Sequence, residues 1–488
     1  MTTRPKGRSA GISETADSSE TGGAAGETTR TGLLTDHYEL TMISAALRSG
    51  AADRRAVFEM FARELPGGRR YGVVAGTGRF LQALEDFRFS EPEIGFLRHH
   101  AIIDDAAARF LASYRFSGNI WGYGEGDCYF PGSPILVVDA TFAEAVVLET
   151  LALSVFNHDC AIASAASRMV TAAGGRPIIE MGSRRTHERA AVAAARAAYL
   201  SGFATTSNLR AGYEFGVPTA GTSAHAFTMV HDDERQAFQV QLDALGKGTT
   251  LLVDTYDIAR AVRTAVELAG PDLGAVRIDS GDLREAAHAV RAELDALGAT
   301  GTRIVITGDL DEHSIAALAS APVDGYGVGT ALVTGSGVPT AALVYKLVAR
   351  ADHSGSLVAV AKRSVGKPTI GGRKWAMRTL NASGTAEAEV VSASPPDGDV
   401  HGVPEEPRPA GDHDRRHDGR QRRMLLRQLV RNGEIVGGEP LGAARERQSR
   451  ALLELPRAAQ RLSSGDPVIP TVIRPAREDE GNGSGPGR

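Results

Sequence analysis

The hydrophobic and polar positions between Arg176 and Thr330 repeat one pattern along the chain. Each repeat is a short apolar run that ends in a polar, Gly-rich cluster and is followed by Ala-rich sequence of helical character. Continuous apolar runs that alternate with helical stretches are typical of parallel strands covered on both faces. The pattern therefore predicts an α/β, barrel-like enzyme domain. The seven runs begin at Arg176, Ser201, Val217, Thr249, Ala275, Arg303 and Gly325.

The ends of these runs carry side chains that suit ligand binding better than the interior of a strand. In a (β/α) barrel the active site is built from the loops at the carboxyl ends of the strands. Helix caps are the alternative, because Asp, Ser, Thr and Gly are favoured before any helix. A cap needs neither Arg nor His, however, and three of the clusters carry one of them, so we interpret the clusters as an active site. The residues concerned are Arg184, His225, Asp254, Asp279, Asp309 and Thr330.

The sequence before the barrel pattern predicts an α+β unit over residues 31–140. Asp36 precedes helical apolar spacing, and the stretch from Ala56 alternates as a half-buried strand does. A further strand is expected from Ser133 to Ala140, and a helix that leads into the barrel starts at Phe142. After the barrel the chain regains β character, which indicates a return to the first unit, and a last helix is expected from Leu441.

Composition limits the class of protein. The 488 residues are 42% hydrophobic and 23% charged, which is enough to bury a sizeable core. A net charge of -5 and a pI near 6.3 argue against a nucleic-acid partner. Cys128 and Cys160 show no Cys-x-x-Cys spacing, so a reducing, cytoplasmic location is expected. We find no signal-peptide pattern and no apolar stretch that we judge long enough to span a bilayer.

Three segments contain few apolar residues that a core could bury. Residues 1–30 and 476–488 are expected to be disordered tails, and residues 394–423 a linker or loop. The linker holds three histidines, but their spacing matches no defined ligand pattern, so no metal site is predicted. These histidines are His401, His413 and His417.

His225 is the first candidate for covalent chemistry. It ends an apolar run just after Gly221 and Thr222. Histidine acts as base or nucleophile near neutral pH and can carry a phosphoryl group. A nucleophilic imidazole needs a partner on its other nitrogen, and Asp254 on the adjacent run is the natural candidate. A histidine bonded to a backbone carbonyl is the alternative.

Arg277 and Asp279 lie two residues apart, so on a strand both face the same side. They suit a carboxylate and a sugar hydroxyl respectively, or they pair with each other. The internal ion pair explains the charges but not the tight polar turn Ser280 to Asp282 that follows.

Two glycine-containing turns predict a phosphate site. Thr307 to Glu312 and Gly325 to Thr330 end successive runs, and their glycines let backbone N–H groups approach phosphate oxygens. Their spacing does not match the dinucleotide fingerprint. Arg184 and Arg185 are expected to face these turns, because the planar guanidinium grips phosphate bidentately.

Taken together, the motifs resemble nicotinate phosphoribosyltransferases, which join nicotinic acid to phosphoribosyl pyrophosphate with ATP hydrolysis. The similarity runs in consistent order from Thr31 to about Arg378. It implies an incomplete (β/α) barrel, residues 141–358, and an α/β domain built from both chain ends, residues 31–140 and about 359–475. It also implies a homodimer that uses Mg²⁺. The segments that carry it are TDHYELTM, FEMFARELP, EMGSRRTH, TSNLRAGYEFGVPTAGTSAH, LLVDTYD, VRIDSGDL, GDLDE and GVGT.

The resemblance also implies roles for single residues. His225 would be autophosphorylated by ATP, with Asp254 and Asp279 as its catalytic neighbours. Tyr38 would stack on the pyridine ring, in a dimer from the partner subunit. Three further groups of residues would bind the substrates: Thr222 and Arg277 at nicotinate; Gly308, Asp309, Gly329 and Thr330 at the ribosyl 5-phosphate; Arg184 and Arg63 at other phosphates.

Four other readings are open at this point. Nicotinamide phosphoribosyltransferase has the same chemistry, but its amide needs an acidic acceptor that Thr205 to Asn208 does not offer. Quinolinate phosphoribosyltransferase should require more basic residues for two carboxylates. A barrel aldolase or epimerase needs a Schiff-base lysine or a dedicated acid and base, and no Lys ends any of the runs. A non-catalytic binding protein would leave the clustered Arg, His and Asp unexplained.

Overall fold

The computed structural model describes residues 30–362, 370–393 and 421–474, together with the backbone of residues 414–415. The predicted tails and most of the predicted linker, residues 394–423, lie outside the described residues. The same holds for the three linker histidines, His401, His413 and His417.

Helices and strands alternate through most of the described chain. The helices are α1 (His37–Ser49), α2 (Thr77–Glu85), α3 (Glu91–His99), α4 (Asp105–Ala112), α5 (Phe142–Val146), α6 (Glu149–Ala173), α7 (Glu188–Leu200), α8 (Leu209–Phe215), α9 (His225–Met229), α10 (Glu234–Leu245), α11 (Ile258–Ala269), α12 (Leu283–Ala296), α13 (Glu312–Ala317), α14 (Thr330–Val333) and α15 (Leu441–Glu454). The strands are β1 (Arg55–Ala62), β2 (Gly72–Val73), β3 (Asn119–Tyr123), β4 (Cys128–Tyr129), β5 (Leu136–Thr141), β6 (Ile178–Glu180), β7 (Thr205–Thr206), β8 (Thr250–Leu252), β9 (Ala275–Ile278), β10 (Arg303–Ile306), β11 (Gly325–Val328), β12 (Leu343–Ala351), β13 (Leu357–Ala359), β14 (Trp375–Leu380), β15 (Ala386–Ser392), β16 (Asp414–Arg415), β17 (Gln421–Met424), β18 (Leu426–Arg431), β19 (Glu434–Ile435) and β20 (Thr471–Arg474).

Six short parallel strands form the sheet that the repeated pattern predicts. Their order is β7-β6-β11-β10-β9-β8, and a single parallel bridge from Thr206 to Thr219 adds the remaining run. All seven predicted runs therefore belong to one curled sheet. Within the described residues no strand pairing joins β8 to the Thr219 segment, so the barrel is incomplete, as predicted.

A seven-stranded sheet joins strands of the first unit to strands from Leu343 onward, in the order β13-β12-β1-β5-β3-β18-β19. β12 thus pairs with the first unit, although the range predicted for the barrel, residues 141–358, includes it. The prediction that β1 is half-buried is wrong, because β1 lies between β12 and β5 and nearly all of its residues are buried. Glu59 in this strand is tolerated because Lys374 Nζ lies 2.6 Å from its carboxylate. The predicted return of the chain to its first unit is confirmed.

A third sheet, of order β16-β17-β14-β15-β20, was not predicted from the sequence. Its buried anchor is Arg378, whose Nη2 donates to Glu389 at 2.6 Å and to the Cys128 carbonyl at 2.7 Å. Because Cys128 lies in β4, this contact fastens the late sheet to the early part of the chain.

The connection between the two units is one long apolar segment, Phe142–Ala173, which contains α5 and α6. The expectation that no stretch is long enough to span a bilayer is wrong as stated, since this segment suffices by length and composition. Most of its apolar window is buried inside the protein, where α6 packs against α2, α7 and α13. The burial of this segment in the core accounts for its many apolar residues.

A buried ion pair ties the barrel to the first unit. Both oxygens of Glu125 accept from the Arg196 guanidinium of α7, at 2.6 and 2.8 Å. The same oxygens accept from the backbone N–H groups of Gly76 and Gly78 at the start of α2. Position 78 has no room for a side chain, because a Cβ there would lie 2.6 Å from Arg196 Nη2.

Substitution Glu125→Gln should lower the thermal unfolding midpoint clearly. Removing one partner of a buried pair leaves an uncompensated charge and costs about 3–5 kcal/mol. Glu267→Gln is the matched control, because the Glu267–Arg235 pair is exposed and such pairs contribute little. Equal midpoints for the two variants in a calorimetric scan would contradict the role given to Glu125.

Candidate active site at the strand ends of the barrel

Arg277 is the centre of the hydrogen-bond network at the carboxyl ends of the strands. Its Nε donates to Thr307 Oγ1 at 2.9 Å, and its Nη1 donates to Thr222 Oγ1 at 2.9 Å and to the Ser223 carbonyl at 3.1 Å. Its Nη2 lies 3.3 Å from Asp279 Oδ1, so the internal ion pair considered from the sequence is present. The guanidinium thus joins the ends of β9 and β10 to the loop that precedes α9.

Asp279 is held as a carboxylate. Burial alone would raise its pKa, but the hydrogen bond from Thr307, the charge of Arg277 and the nearby His225 together hold the pKa of Asp279 below its ordinary value. The group is therefore ionised at neutral pH and presents a negative charge to the site.

His225 is the first residue of α9, and its side chain is 37% exposed, so the ring is accessible to a ligand. Its Nδ1 lies 3.2 Å from Thr255 Oγ1. Its Nε2 lies 4.0 Å from Asp254 Oδ1 and 4.0 Å from Asp279 Oδ2. The hydrogen-bonding neighbour of the imidazole is therefore Thr255, and the two carboxylates face the other nitrogen from beyond hydrogen-bond distance.

The side chain of Asp254 is buried and uses only one oxygen within the described residues. Its Oδ2 accepts from the Asp279 N–H and from the Ser280 hydroxyl, each at 2.8 Å. Its Oδ1, which faces His225, is buried without a hydrogen-bond partner. A buried polar atom of this kind carries a free-energy penalty until a ligand or a moved side chain satisfies it.

The two glycine turns predicted to bind phosphate lie side by side, after the paired strands β10 and β11. Gly308 has a φ of 108°, and a Cβ there would lie 2.3 Å from the Asp279 carbonyl oxygen. Asp309 follows with a φ of 38° and is exposed. Gly329 precedes α14, whose first residue Thr330 is also exposed. Each turn thus presents one exposed residue, Asp309 or Thr330, at the strand ends.

Arg184 and Arg185 lie on the loop after β6, which pairs with β11, so this loop neighbours the second turn. Both arginines are exposed. Tyr38 and Arg63 belong instead to the first unit, and within the described residues neither hydrogen-bonds to the Arg277 network. Tyr38 is 44% exposed, and burial together with Glu149 and Glu39 raises the pKa of its hydroxyl.

Each cluster that follows β8, β9 or β10 contains two kinds of aspartate. The last one caps the next helix: Asp257 caps α11, Asp282 caps α12 and Asp311 caps α13. The earlier aspartates, Asp254, Asp279 and Asp309, cap no helix. The cap interpretation is therefore correct for the last aspartate of each cluster, whereas the active-site interpretation stays a prediction for the earlier ones.

Sequence reasoning gave no role to four residues of this region. Thr255 and Thr307 contact His225 and Arg277, and Ser280 donates to Asp254. Glu180, at the end of β6, is buried, and burial raises its pKa although Thr206 and the Gly182 N–H both donate to it. The only signal that could have found them is their position directly at a strand end.

The described residues contain no group of three or more His, Cys, Asp or Glu side chains that could hold a metal ion alone. Mg²⁺ usually needs only one or two protein carboxylates when phosphate groups supply further oxygens. Asp254 Oδ1, without a partner, and Asp279 Oδ2 lie at equal distance from the same imidazole nitrogen. These two carboxylates fit a Mg²⁺ ion that arrives with a phosphorylated ligand.

Two family models match the chain. The nicotinate phosphoribosyltransferase N-terminal domain matches residues 33–157, and the nicotinate phosphoribosyltransferase family matches residues 177–383. The second match contains the whole strand-end network.

Individual proteins agree with the models. The chain is 56% identical over 455 residues to nicotinate phosphoribosyltransferase pncB1 of Mycobacterium tuberculosis, covering 91% of this chain and 96% of that protein. It is 36% identical over 362 residues to the nicotinate phosphoribosyltransferase of Bacillus subtilis, covering 72% and 74%. The structure is similar to human nicotinic acid phosphoribosyltransferase with a TM-score of 0.73 and 26% identity, covering 90% and 97% of the two chains.

Proposed function

The chain belongs to the nicotinate phosphoribosyltransferase family, and on that premise we propose how its strand-end network carries out the reaction. Nicotinate and 5-phosphoribosyl 1-pyrophosphate give nicotinate mononucleotide and pyrophosphate, a step of NAD biosynthesis. The observation that carries the proposal is Arg277, which joins the Thr222 loop to Asp279 and thereby places a cation beside His225.

Nicotinate would bind with its carboxylate at Arg277 and Thr222. A guanidinium already aligned by Thr307 and Asp279 is pre-organised to donate to a second carboxylate, and charge-assisted hydrogen bonds of this kind are strong. Nicotinamide offers no negative charge to this cation. A carboxylate that could accept from an amide, Glu180, is buried and already accepts from Thr206 and Gly182.

The ribosyl 5-phosphate would lie on the turns at Gly308–Asp309 and Gly329–Thr330, and the pyrophosphate near Arg184 and Arg63. In the reaction the bond from ribose C1 to the pyrophosphate oxygen breaks and pyrophosphate leaves with the electron pair. The lone pair of the pyridine nitrogen then forms the new bond to C1. The protein contributes positioning of the two reactants and electrostatic stabilisation, with the Asp279 carboxylate near the developing positive charge.

ATP would be a second substrate: its terminal phosphoryl group would pass to His225 with ADP leaving, and water would later release the group from the ring as phosphate. Two carboxylates near Nε2 favour the proton on that nitrogen, so the nucleophile would be the lone pair on Nδ1, from which the Thr255 hydroxyl must first withdraw its hydrogen bond. Mg²⁺ held by Asp254 and Asp279 would supply positive charge to the phosphate groups. The phosphorylated ring would then add negative charge beside the pyrophosphate site and couple ATP hydrolysis to turnover.

Mononucleotide formation from nicotinate, nicotinamide and quinolinate, each with and without ATP, tests the specificity. Nicotinate should have by far the highest kcat/KM. Arg277→Ala should lower kcat/KM for nicotinate by ~10–100-fold, mainly through KM, because a charge-assisted hydrogen bond is lost. Arg284→Ala is the control, since Arg284 is exposed and bonds only Ser320 within the described residues. An unchanged nicotinate KM in Arg277→Ala would remove this residue from the pocket.

Incubation with γ-labelled ATP should give an acid-labile, base-stable phosphoprotein, because phosphohistidine has that stability. The label should disappear in His225→Ala and persist in His231→Ala, whose ring bonds the Phe227 carbonyl outside the network. Label that survives in His225→Ala would show that another residue carries the phosphoryl group.

A homodimer would complete the site. The helices beside His225 expose several large apolar side chains, and the start of the first unit exposes others. Tyr38, a candidate for ring stacking, belongs to that second set and makes no hydrogen bond to the site of its own chain. We therefore place Tyr38 of the partner subunit at the nicotinate ring. The exposed residues are Leu209, Tyr213, Met229, Val230 and Tyr256 beside the site, and Leu33, Leu34 and Tyr38 in the first unit.

The two cysteines are free and buried, which supports a reducing, cytoplasmic location.

Mixing two impaired variants, assayed at nicotinate concentrations well below the KM of Arg277→Ala, tests the shared site. In a heterodimer of Arg277→Ala and Tyr38→Ala one of the two sites receives both intact residues, so random reassociation should restore about a quarter of wild-type activity by two-fold symmetry. The control is Arg277→Ala mixed with Asp279→Ala, because both defects lie in one barrel and no intact site can form. Absence of recovery in the first mixture would place Tyr38 in the site of its own chain or outside the site.

A further inference from the structure

A second polar pocket lies outside the Arg277 network. It has a volume of about 180 Å³ and forms where the turn after β1, helix α6, the start of α13 and the segment 462–464 meet. No residue of the strand-end network lines it. The side chains that matter are Arg69, Arg168, Glu312, His313, Ser336 and Ser464.

Arg69 is the unusual member of this pocket. Its side chain is buried, with 6% of the residue exposed, and within the described residues no carboxylate lies within 4.0 Å of it. Its two hydrogen bonds go to neutral carbonyls, those of Ala161 at 3.2 Å and Gly335 at 2.6 Å, and use two of its five donors. Burial lowers the pKa of this guanidinium, and nearby Arg168 lowers it further. A buried cation without a counter-ion is costly and rare.

Glu312 is the acidic side chain of the pocket, and it pairs directly with Arg168, while its charge raises the pKa of Arg69 only from beyond ion-pair distance. Arg168 Nε lies 3.0 Å from Glu312 Oε1, and Ser336 Oγ donates to Glu312 Oε2 at 2.7 Å. The pKa of Glu312 is lowered despite its burial, because Ser336 and Arg168 stabilise the carboxylate. Glu312 therefore balances Arg168, and the pocket keeps one net positive charge from Arg69. Ser463 and Ser464 are exposed and also line the pocket, and the Ser464 hydroxyl donates to the Gly67 carbonyl over a long 3.5 Å, so a bound anion could replace that acceptor.

We propose that this pocket binds a phosphate-sized oxyanion, either free phosphate or the phosphate group of a small metabolite, at a site separate from the catalytic network. The volume admits such an anion, and a guanidinium with free donors beside serine hydroxyls suits its oxygens. The bound anion would join the turn at Gly67 to the segment at Ser464, which already touch through the hydrogen bond from the Gly465 N–H to the Gly68 carbonyl. The same turn follows Arg63, so occupancy would fix the loop that carries this residue. The inference does not rest on the reaction proposed above.

Hydrogen exchange followed by mass spectrometry tests the proposal on the full chain. Inorganic phosphate should slow exchange in peptides that contain residues 66–70 and 462–465, independently of the catalytic turns at 308–310 and 329–331. Ser464→Asp should abolish this slowing, because its carboxylate repels the anion at the mouth of the pocket. Ser464→Asn is the matched control of similar size and should retain it.

In Arg69→Gln, phosphate should also fail to slow hydrogen exchange. Because Arg69 is buried, this variant can also disturb the core, whereas the comparison of Ser464→Asp with Ser464→Asn changes only an exposed residue. Repeating the experiment with methyl phosphate distinguishes free phosphate from the phosphate group of a metabolite. If methyl phosphate slows exchange as inorganic phosphate does, phosphate esters also bind. Protection confined to the catalytic turns, or equal protection in Ser464→Asp and Ser464→Asn, would overturn the proposal.

Discussion

An incomplete barrel lacks the closing strand pair that holds the rim of a full barrel, so its strand-end loops must be held by side chains. Arg277 supplies this restraint, with hydrogen bonds to the loop before α9, to Thr307 after β10 and to Asp279 after its own strand. The buried Glu125–Arg196 pair has the corresponding role at the junction with the first unit. The geometry of the candidate site depends on these two arginines, because the strands beneath it are only two to four residues long.

The barrel and the position of its site could be predicted from the sequence because both follow from local patterns. Parallel strands buried on both faces give apolar runs, and the carboxyl ends of such strands gather at one rim. His225, Arg277 and Asp279 were identified for this reason. The fold class and the family were confirmed, whereas the single-residue roles remain predictions.

The parts that escaped prediction depend on residues far apart in the chain. The burial of Glu59 depends on Lys374. The third sheet depends on Arg378, which donates both to Glu389 and to the carbonyl of Cys128 in the early sequence. Thr255 and Thr307 were missed for a different reason, because threonine at a strand end is too common to carry a signal. The aspartates could not be divided into caps and site residues until the helix starts were known.

The unpartnered oxygen of Asp254 has a consequence for how this protein responds to selection. A buried acceptor without a donor makes the ligand-free protein less stable than it would be with that oxygen paired, while the other oxygen of Asp254 keeps the hydrogen bonds from the Asp279 N–H and Ser280. Directed evolution for heat resistance alone would therefore favour substitutions of neighbouring residues that place a hydrogen-bond donor beside this oxygen. Under the role proposed for Asp254, such a donor would compete with the ligand, so stability and activity are in opposition at this position and thermostable variants that keep their activity must gain stability elsewhere.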